Sequence, residues 1–384
     1  MGVPRLAVVC DLVEEDWPSM DLVADQLLCY LQRDYSQQYE AMRICPPMRR
    51  RFTRKETSTG HRFNADRLFN RFWDYPRLTR LVRSEFDLFH LVDHSYAQLL
   101  HELPPERTIV TCHDLDTFKS LLNPRAEKRG YLFRKMMEQT LSGFQQAALV
   151  TCDSAATRDQ LLAYRLIPAE RTVVVPNGVH PSCSRVPNPI ADAQAEELIG
   201  PAANDRLDIL HVGSVIPRKR IDVLLRVFAK IRNFFPGTRL LRVGGGFTRD
   251  QLKIVDELEL NESVVVLPRI DADLLAAIYR RAALLLQPSE SEGFGLPVVE
   301  ALACGTPVVA SSIPALREVG GEAVRYCEVG NIDEWFEVAV ELLREKSNSP
   351  EACIERRDRG IVQAERFSWP EYVRRMVALY EKLV

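Results

Sequence analysis

The sequence predicts an α/β protein with two doubly wound domains, each built on a parallel sheet with helices on both faces. Short apolar strands alternate with amphipathic helical segments in residues 1–180 and again in residues 205–366. Such alternation is typical of βαβ units. The length of 384 residues also favours two domains over one. We therefore expect two sheets, with ligands bound beyond the carboxyl ends of their strands.

The elements follow from hydrophobic periodicity along the chain. Residues 181–204 are rich in Pro, Ala and Asn and contain no convincing strand, so they predict an interdomain linker. Strands are expected at 5–10, 86–92, 108–112, 147–152, 172–175, 207–212, 239–243, 263–267, 282–286 and 307–310. Helices are expected at 21–31, 126–144, 155–164, 221–235 and 273–281, from Pro297 to Gly305, and from 332 onward.

Composition narrows the class of protein. The formal net charge is -3, which argues against a general nucleic-acid binder, so no nucleic-acid partner is expected. Nine cysteines are scattered without a CxxC pair, a usage that favours free thiols in a reducing compartment. The chain starts directly with a strand, and no apolar run is long enough to span a bilayer. We therefore expect a cytoplasmic protein, free or at the inner face of the membrane.

A glycine-rich strand-to-helix turn is the most informative stretch. Residues 287–300 leave an apolar strand, pass through Gly293 and Gly295, and enter a helix with Pro297 at its start. Such a turn exposes backbone N–H groups beside the positive end of a helix, which suits a phosphate. Two carboxylates, Glu292 and Glu300, bracket it. Either acid alone is typical of a solvated loop or a first helical turn, but the whole string favours a ligand site.

A second loop supplies cations. Val212 is followed by a turn that ends in Arg218, Lys219 and Arg220. Cations at a helix start oppose the helix dipole unless an anion lies between them. The guanidinium of Arg218 can bond a phosphate with two N–H groups and Lys219 adds a point charge, so the loop predicts stabilisation of a diphosphate leaving group without a metal. His113 follows a buried strand and is interpreted either as a core histidine or as a partner of a substrate hydroxyl.

The absence of several known motifs argues against other classes of enzyme. Gly244–Gly246 lacks the third glycine of a dinucleotide fingerprint, and the sequence contains no Walker lysine, HExxH or GxSxG. Two aspartate pairs have metal-like spacing, but without further ligands we interpret Asp114 and Asp116 as a loop and Asp271 and Asp273 as a helix cap. No metal or other cofactor is expected.

The basic segment 49–83 has three interpretations. Arginines alternate with aromatic and aliphatic residues there, with an interruption at Pro76. The segment is consistent with a solvated helix face whose arginines extend to water, with a patch for an anionic acceptor, or with peripheral association with an anionic membrane.

These motifs together resemble a known enzyme family. The string from Glu292 to Glu300, followed by Ala301–Ala310, looks like the E-x7-E signature of retaining GT-B glycosyltransferases of family 4. The turn from Val212 to Lys219, Val175–Val179, and His113 with Asp114 match the same family in order, and the final Phe367–Pro370 resembles the start of its last helix. The resemblance implies two Rossmann-like domains facing a cleft, with the C-terminal helix (367–384) crossing back to the N-terminal domain.

The resemblance also implies roles for individual residues. The C-terminal domain would bind a nucleotide-sugar and the N-terminal domain an unidentified glycan, lipid or small-molecule acceptor. Glu300 would contact the ribose, Glu292 the donor sugar, Arg218 and Lys219 the diphosphate, and His113 the transferred sugar. The other residues placed at the donor are Gly213, Ser214, Gly245, Phe294, Gly295, Leu296, Arg269 and Ile270, the last two beside the base.

The sequence departs from this family pattern at two points. Ser214 stands where many relatives carry Arg, and the loop 12–20 lacks a Gly-Gly turn. The Pro-Arg-Lys form of the cationic loop is similar to a mannosyltransferase-like branch, which favours GDP-mannose over UDP-glucose as the donor. Two alternatives to a retaining hexosyltransferase remain: a non-catalytic nucleotide-sugar-binding protein of the same fold, and a sugar-nucleotide epimerase.

Overall fold

The computed structural model describes residues 2–53, 60–125, 127–201 and 206–384, which form two compact units. Unit 1 contains the chain up to Asn177 together with Trp369–Val384, and unit 2 contains Gly178–Ser368. Arg54 and Lys55 of the basic segment, and residues 202–204 of the expected linker, lie outside the described residues.

A parallel sheet forms the centre of unit 1. Its strand order is β2-β1-β3-β4-β5-β6. The chain therefore places β2 on one side of β1 and all later strands on the other side. The strands are β1 (Arg5–Val9), β2 (Glu40–Ile44), β3 (Leu88–Leu91), β4 (Thr108–Cys112), β5 (Leu149–Cys152) and β6 (Thr172–Val174). β3 and β4 are wholly buried, as expected for strands covered on both faces. β2 was not predicted, because its EAMRI sequence is that of a largely exposed edge strand.

Helices cover both faces of this sheet. They are α1 (Pro18–Asp34), α2 (His61–Phe69), α3 (Tyr75–Val82), α4 (Lys119–Leu122), α5 (Tyr131–Phe144), α6 (Ala155–Ala163) and α15 (Trp369–Tyr380). The last helix packs in the same core as α1 and the strands, with Trp369, Tyr372 and Tyr380 buried. A π-helical turn at Asn70–Asp74 joins α2 to α3, so the amphipathic basic segment continues past the predicted interruption at Pro76, which lies in the first turn of α3.

Unit 2 repeats the architecture. Its parallel sheet has the order β12-β11-β10-β7-β8-β9. The strands are β7 (Asp208–Val212), β8 (Arg239–Val243), β9 (Val264–Leu267), β10 (Leu284–Gln287), β11 (Val308–Ser311) and β12 (Arg325–Cys327). The helices of unit 2 are α7 (Pro189–Ile199), α8 (Ile221–Phe234), α9 (Arg249–Glu257), α10 (Ala272–Arg281), α11 (Leu296–Ala303), α12 (Pro314–Gly320), α13 (Ile332–Asn348) and α14 (Pro350–Ala364).

The predicted linker is wrong over residues 189–199. These residues form α7, whose Ala191, Ala195 and Ile199 are buried in the core of unit 2. Asn188 caps the helix by accepting hydrogen bonds from the N–H groups of Ile190 and Ala191, and Pro189 occupies the first position, as prolines often do. The absence of a strand pattern indicated a linker, but small apolar residues at helical spacing formed a packed helix instead.

Within the described ranges, no helix combines the length and the apolar content that crossing a bilayer requires.

Candidate functional site

The reversal of strand order in unit 2 brings two predicted loops together. β7 pairs with β10 on one side and β8 on the other, so the loops that follow β7 and β10 leave the same edge of the sheet side by side. In open parallel sheets this position is the usual ligand site. The loop after β7 carries Arg218 and Lys219, and the loop after β10 carries Glu292.

These three charged side chains meet. The ammonium Nζ of Lys219 lies 2.7 and 2.9 Å from the two carboxylate oxygens of Glu292. Arg218 donates to Glu292 Oε2 at 3.3 Å and to the carbonyl of Ser291 at 2.9 Å. Gln287, at the end of β10, donates to Glu292 Oε1 at 2.8 Å. The two loops are therefore joined by a buried ion-pair cluster.

The cluster keeps Glu292 ionised. Burial favours the neutral acid, but the charges of Lys219 and Arg218 and their hydrogen bonds outweigh burial and lower the pKa of Glu292 to about 2. The carboxylate side chain is only 6% exposed, so it is a fixed negative charge at neutral pH. The predicted sugar-contacting acid thus also serves as the counter-ion of the two predicted diphosphate-binding cations.

The second acid, Glu300, has different surroundings. α11 starts at Leu296, with Gly295 as its N-cap in the left-handed region at a φ of 110°. Pro297 is therefore the second helical residue, and Glu300 lies in the second turn rather than the first. Glu300 is buried, and Tyr279 on α10 donates a hydrogen bond to its Oε2 at 3.0 Å. Burial raises the pKa of Glu300 to about 7, so its charge changes near neutral pH.

Two glycine loops touch at the carboxyl ends of β7 and β8. A Cβ on Gly244 would lie 2.1 Å from the carbonyl oxygen of Gly213, and Gly244 has a φ of 120°. Only glycine allows this approach at such a φ. Ser214 follows in the first loop and is partly buried, whereas Gly245 in the second is exposed at a φ of 96°. The predicted residues Gly213, Ser214 and Gly245 are thus adjacent.

Two further residues of this region escaped the sequence analysis. Arg242 lies on β8 with no exposed surface and donates to the carbonyls of Gly213 (2.8 Å), Gly244 (3.3 Å) and Gly245. His211 on β7 is also fully buried; burial, then Arg242 and Lys219, lower the pKa of its imidazole to about 3. A detectable signal existed, because an arginine inside an apolar parallel strand is unusual.

The side chains of the remaining predicted donor-site residues lie in different environments. Phe294 is buried with its ring edge-on to Phe367 at 5.5 Å, so only its backbone is available to a ligand. Ile270 packs partly against the core, and Arg269 beside it is exposed. Both follow β9, which is separated from β7 by β8.

His113 lies in unit 1, where both of its ring nitrogens are occupied. Nδ1 is 2.6 Å from Asp153 Oδ2, and Nε2 is 2.6 Å from the carbonyl of Val92. Burial opposes protonation, but Asp153 and then Asp93 raise the pKa of His113 to about 9. The side chain is therefore an imidazolium that donates at both ends, and its nitrogens are used within unit 1 rather than open to a substrate hydroxyl.

The aspartate pairs behave as structural groups. Asp271 caps α10 by accepting from the N–H of Leu274 at 2.8 Å, as predicted, and Asp114 accepts from the N–H of Asp116 at 2.9 Å within its loop. Across the described ranges, three or more His, Cys, Asp or Glu side chains are nowhere arranged to hold a metal ion.

Two doubly wound domains of this kind define the GT-B class, and solved structures share the fold. A sucrose-phosphate synthase from Thermosynechococcus elongatus superimposes with a TM-score of 0.75 at 20% identity, covering 99% of each chain. The HepE protein of Anabaena in complex with UDP and glucose superimposes with a TM-score of 0.71 at 16% identity, covering 99% of this chain and 100% of that one.

Family models then specify the group. Residues 194–359 match Glycosyl transferases group 1, and residues 24–182 match Glycosyltransferase Family 4. The chain thus matches two glycosyltransferase models that together cover most of its length. It is 35% identical over 187 residues to a D-inositol 3-phosphate glycosyltransferase of Mycolicibacterium smegmatis, a match that covers 46% of this chain and 41% of the relative. The chain spans about half the length of the curated relatives it matches.

Proposed function

We propose that this protein is a retaining glycosyltransferase that moves a hexose from a nucleoside-diphosphate sugar to a hydroxyl acceptor without a metal. The observation that carries the proposal is the cluster of Arg218, Lys219 and Glu292. It joins the loops after β7 and β10 beside the N-terminus of α11. Cations and helix N-termini both stabilise a departing phosphate.

Charge matching supports this assignment. Arg218 and Lys219 are partly neutralised by Glu292, and the buried Arg242 adds a cation without a carboxylate hydrogen-bonded to it in the described structure. The region therefore has a surplus of positive charge that suits a doubly charged diphosphate. In the proposed reaction the acceptor oxygen bonds to the anomeric carbon as the bond from that carbon to the diphosphate breaks. The hydroxyl proton passes to the departing phosphate oxygen.

Glu300 is the proposed ribose contact. It lies on α11, four residues after the helix start, and a carboxylate can accept hydrogen bonds from two vicinal hydroxyls. Glu292 is the proposed contact for the donor sugar, through whichever carboxylate lone pairs the two cations leave open. Backbone groups of Gly295 and Leu296 complete the diphosphate site, and Arg269 and Ile270 contact the base in this proposal.

Two donors are candidates. The Pro-Arg-Lys loop favours GDP-mannose, whereas the HepE structure of the same fold contains UDP and glucose, which supports a UDP-hexose. The similarity to a D-inositol 3-phosphate glycosyltransferase of M. smegmatis supports a phosphorylated polyol as the acceptor, although a glycan or lipid hydroxyl would fit the same chemistry.

Turnover tests the proposal directly. Purified protein is incubated with UDP-glucose or GDP-mannose, with and without a phosphorylated polyol or lipid acceptor, and free UDP or GDP is measured. We expect acceptor-dependent release from one donor. Binding of a donor in calorimetry without turnover of any acceptor would favour the non-catalytic protein, and an epimerised sugar-nucleotide without acceptor would favour the epimerase. The absence of donor binding would reject all three.

We further propose that unit 1 associates with an anionic membrane on the cytoplasmic side. Phe52, Phe69 and Trp73 are 43%, 46% and 55% exposed, and residues 60–83 contain six arginines and two aspartates. Arg77 stacks over Trp73 at 3.4 Å, and Arg51 lies over Phe69 at 5.7 Å. Exposed aromatics among cations are typical of a surface that binds anionic headgroups.

Vesicle co-sedimentation tests this proposal. Binding to phosphatidylglycerol-containing vesicles should exceed binding to phosphatidylcholine vesicles and fall with salt. Trp73→Ala should weaken it, whereas Tyr164→Ala, an exposed aromatic just after α6, should not. Equal weakening by both variants, or no vesicle binding, would remove the membrane proposal.

A further inference from the structure

Arg242 is a buried cation that is hydrogen-bonded only to backbone carbonyls within the described residues. It has no exposed surface, and its guanidinium donates to Gly213, Gly244 and Gly245. Its Nε has no partner there. Burying a charge without a carboxylate is costly, and yet burial lowers the pKa of Arg242 only to about 10. The side chain is therefore charged at neutral pH, and the three carbonyls compensate for it only in part.

The three carbonyls determine where the neighbouring N–H groups point. The peptide bonds of the described chain contain no cis bond, and in a trans peptide the C=O and the following N–H point in opposite directions. Because the carbonyls of Gly213, Gly244 and Gly245 face the guanidinium, the N–H groups of Ser214, Gly245 and Gly246 face away from it. Gly245 and Gly246 are exposed, so their N–H groups are presented on the outer surface of the loop.

These three N–H groups have no acceptor among the described residues. The two loops that carry them are in contact, since a Cβ on Gly244 would overlap the carbonyl of Gly213. Successive outward N–H groups in glycine loops form an anion-binding concavity. The loop after β7 continues directly to Arg218 and Lys219, so the unpaired donors and the cation cluster belong to one region of unit 2.

We infer that Arg242 is a positioning residue for the diphosphate of the nucleotide-sugar. It holds the peptides of the two glycine loops so that the N–H groups of Ser214, Gly245 and Gly246 donate to phosphate oxygens, and its buried charge attracts the same anion from below. The inference rests on the proposed function for the identity of the ligand. It adds a residue that touches no substrate atom and acts through the backbone that it orients.

The test compares the wild type with Arg242 variants, and it measures how much the phosphate groups of a nucleotide add to its affinity. Calorimetry gives the dissociation constants of UDP and uridine, of GDP and guanosine, and of inorganic pyrophosphate, for the wild type and for Arg242→Met. We expect Arg242→Met to weaken diphosphate binding at least tenfold while nucleoside binding stays within twofold. Arg242→Lys keeps the charge, but its single nitrogen cannot occupy the positions of both Nη1 and Nη2, so it should give an intermediate loss.

A matched control separates positioning from stability. Arg239 lies on the same strand, at its opposite end, and pairs with Asp208 at 2.8 Å. Arg239→Met should lower the melting temperature without changing the ratio of nucleoside to diphosphate dissociation constants. If Arg242→Met folds and keeps the wild-type ratio, or loses nucleoside and diphosphate affinity equally, the inference is wrong. If Arg242→Met does not fold, Arg242→Lys decides by the same ratio.

Failure of the proposed function gives a different result. A wild type that binds pyrophosphate but neither UDP nor GDP would reject the nucleotide-sugar donor, and a loss of pyrophosphate binding in Arg242→Met would still support the role of Arg242. A wild type that binds nucleotides with an unchanged ratio in Arg242→Met would reject only the inference. A wild type that binds none of these anions would reject both.

Discussion

Lys219 and Glu292 are partners in a buried ion pair and, in our proposal, parts of the donor site. Lys219→Met should raise the dissociation constant of the donor's nucleoside diphosphate by about 10- to 100-fold, because a hydrogen bond to a charged group contributes roughly 1.5–3 kcal/mol. It should also destabilise unit 2 by about 3–5 kcal/mol, since Glu292 loses its nearest cation. Calorimetry and urea unfolding measure the two effects.

The double variant separates binding from stability. Lys219→Met with Glu292→Gln removes both charges, so most of the stability should return while the affinity for the diphosphate stays low. Recovery of affinity in the double variant would show that Lys219 acts only as the counter-ion of Glu292, and the diphosphate contact would then be wrong.

Glu300 should make donor binding depend on pH. Its pKa in the folded protein is raised to about 7 by burial, so the carboxylate form, which accepts two ribose hydrogen bonds in our proposal, is populated above pH 7 and lost below it. Nucleoside affinity should fall by up to tenfold per pH unit below 7. In Glu300→Gln this pH dependence should vanish.

Tyr279→Phe is the control for this pH dependence. The hydroxyl of Tyr279 lowers the pKa of Glu300, so its removal should move the midpoint of the binding curve to higher pH. A midpoint that stays in place in Tyr279→Phe, or a pH dependence that persists in Glu300→Gln, would assign the titration to another group. The effect of Glu300 on folding stability has the opposite dependence on pH. Between the pKa of the unfolded chain and pH 7, the folded protein holds a proton on Glu300 that the unfolded chain has lost, so the contribution of Glu300 to stability falls as pH rises.

At the scale of the element, the start of α11 depends on one glycine. Gly295 has a φ of 110°, and a Cβ there would lie 2.6 Å from Leu316 Cδ2 and 3.3 Å from Val319 Cγ2. Gly295→Ala should destabilise unit 2 by about 2–5 kcal/mol, from roughly 1–2 kcal/mol of backbone strain and roughly 1–3 kcal/mol of overpacking. Urea unfolding gives the free energy.

Gly245→Ala isolates the backbone part of this cost. Gly245 also has a positive φ, of 96°, but a Cβ there would meet nothing within 4 Å. Its substitution should cost only the strain, so the loss should be clearly smaller than in Gly295→Ala. Equal losses would mean that α12 moves away and that the contact with Leu316 does not constrain the turn.

The strands and helices also show how much secondary structure hydrophobic periodicity can predict. β8 was predicted with the bounds that the structure has, because Arg239–Val243 is a short apolar run between a turn and three glycines. β2 and β12 were missed, since edge strands are partly solvated and carry polar residues. α7 was missed because its small residues lack a strong apolar stripe, although Ala195 packs in the core.

At the scale of the whole molecule, the last helix belongs to the core of the first unit. Trp369, Tyr372 and Tyr380 on α15 are buried there, and the hydroxyl of Tyr380 lies 2.7 Å from His90 Nδ1. Deletion of residues 369–384 should therefore unfold unit 1 and leave unit 2 folded. Limited proteolysis should then cleave within residues 2–177 and spare residues 206–368.

A single-atom variant provides a milder comparison. Tyr380→Phe keeps the packing and removes only the hydroxyl that bonds His90 Nδ1, which should cost about 1–3 kcal/mol for an unsatisfied buried group, measured by thermal unfolding. If the protein that lacks residues 369–384 resists proteolysis in unit 1 as well as the full chain does, α15 is not required for the core of unit 1.

The sequence by itself determined the fold class and the two loops of the candidate donor site. Strand and helix periodicity are local properties of the chain, and the glycines, the proline and the charges of residues 212–220 and 287–300 are adjacent in sequence. Which side chains meet was decided only by the tertiary structure. The strand order places β7 between β10 and β8, which joins Lys219 to Glu292 and puts Arg242 beneath the glycine loops. In unit 1 the order β3-β4-β5 encloses His113 between Val92 and Asp153, because pairing between strands distant in sequence is set by the packing of the sheet rather than by any local pattern.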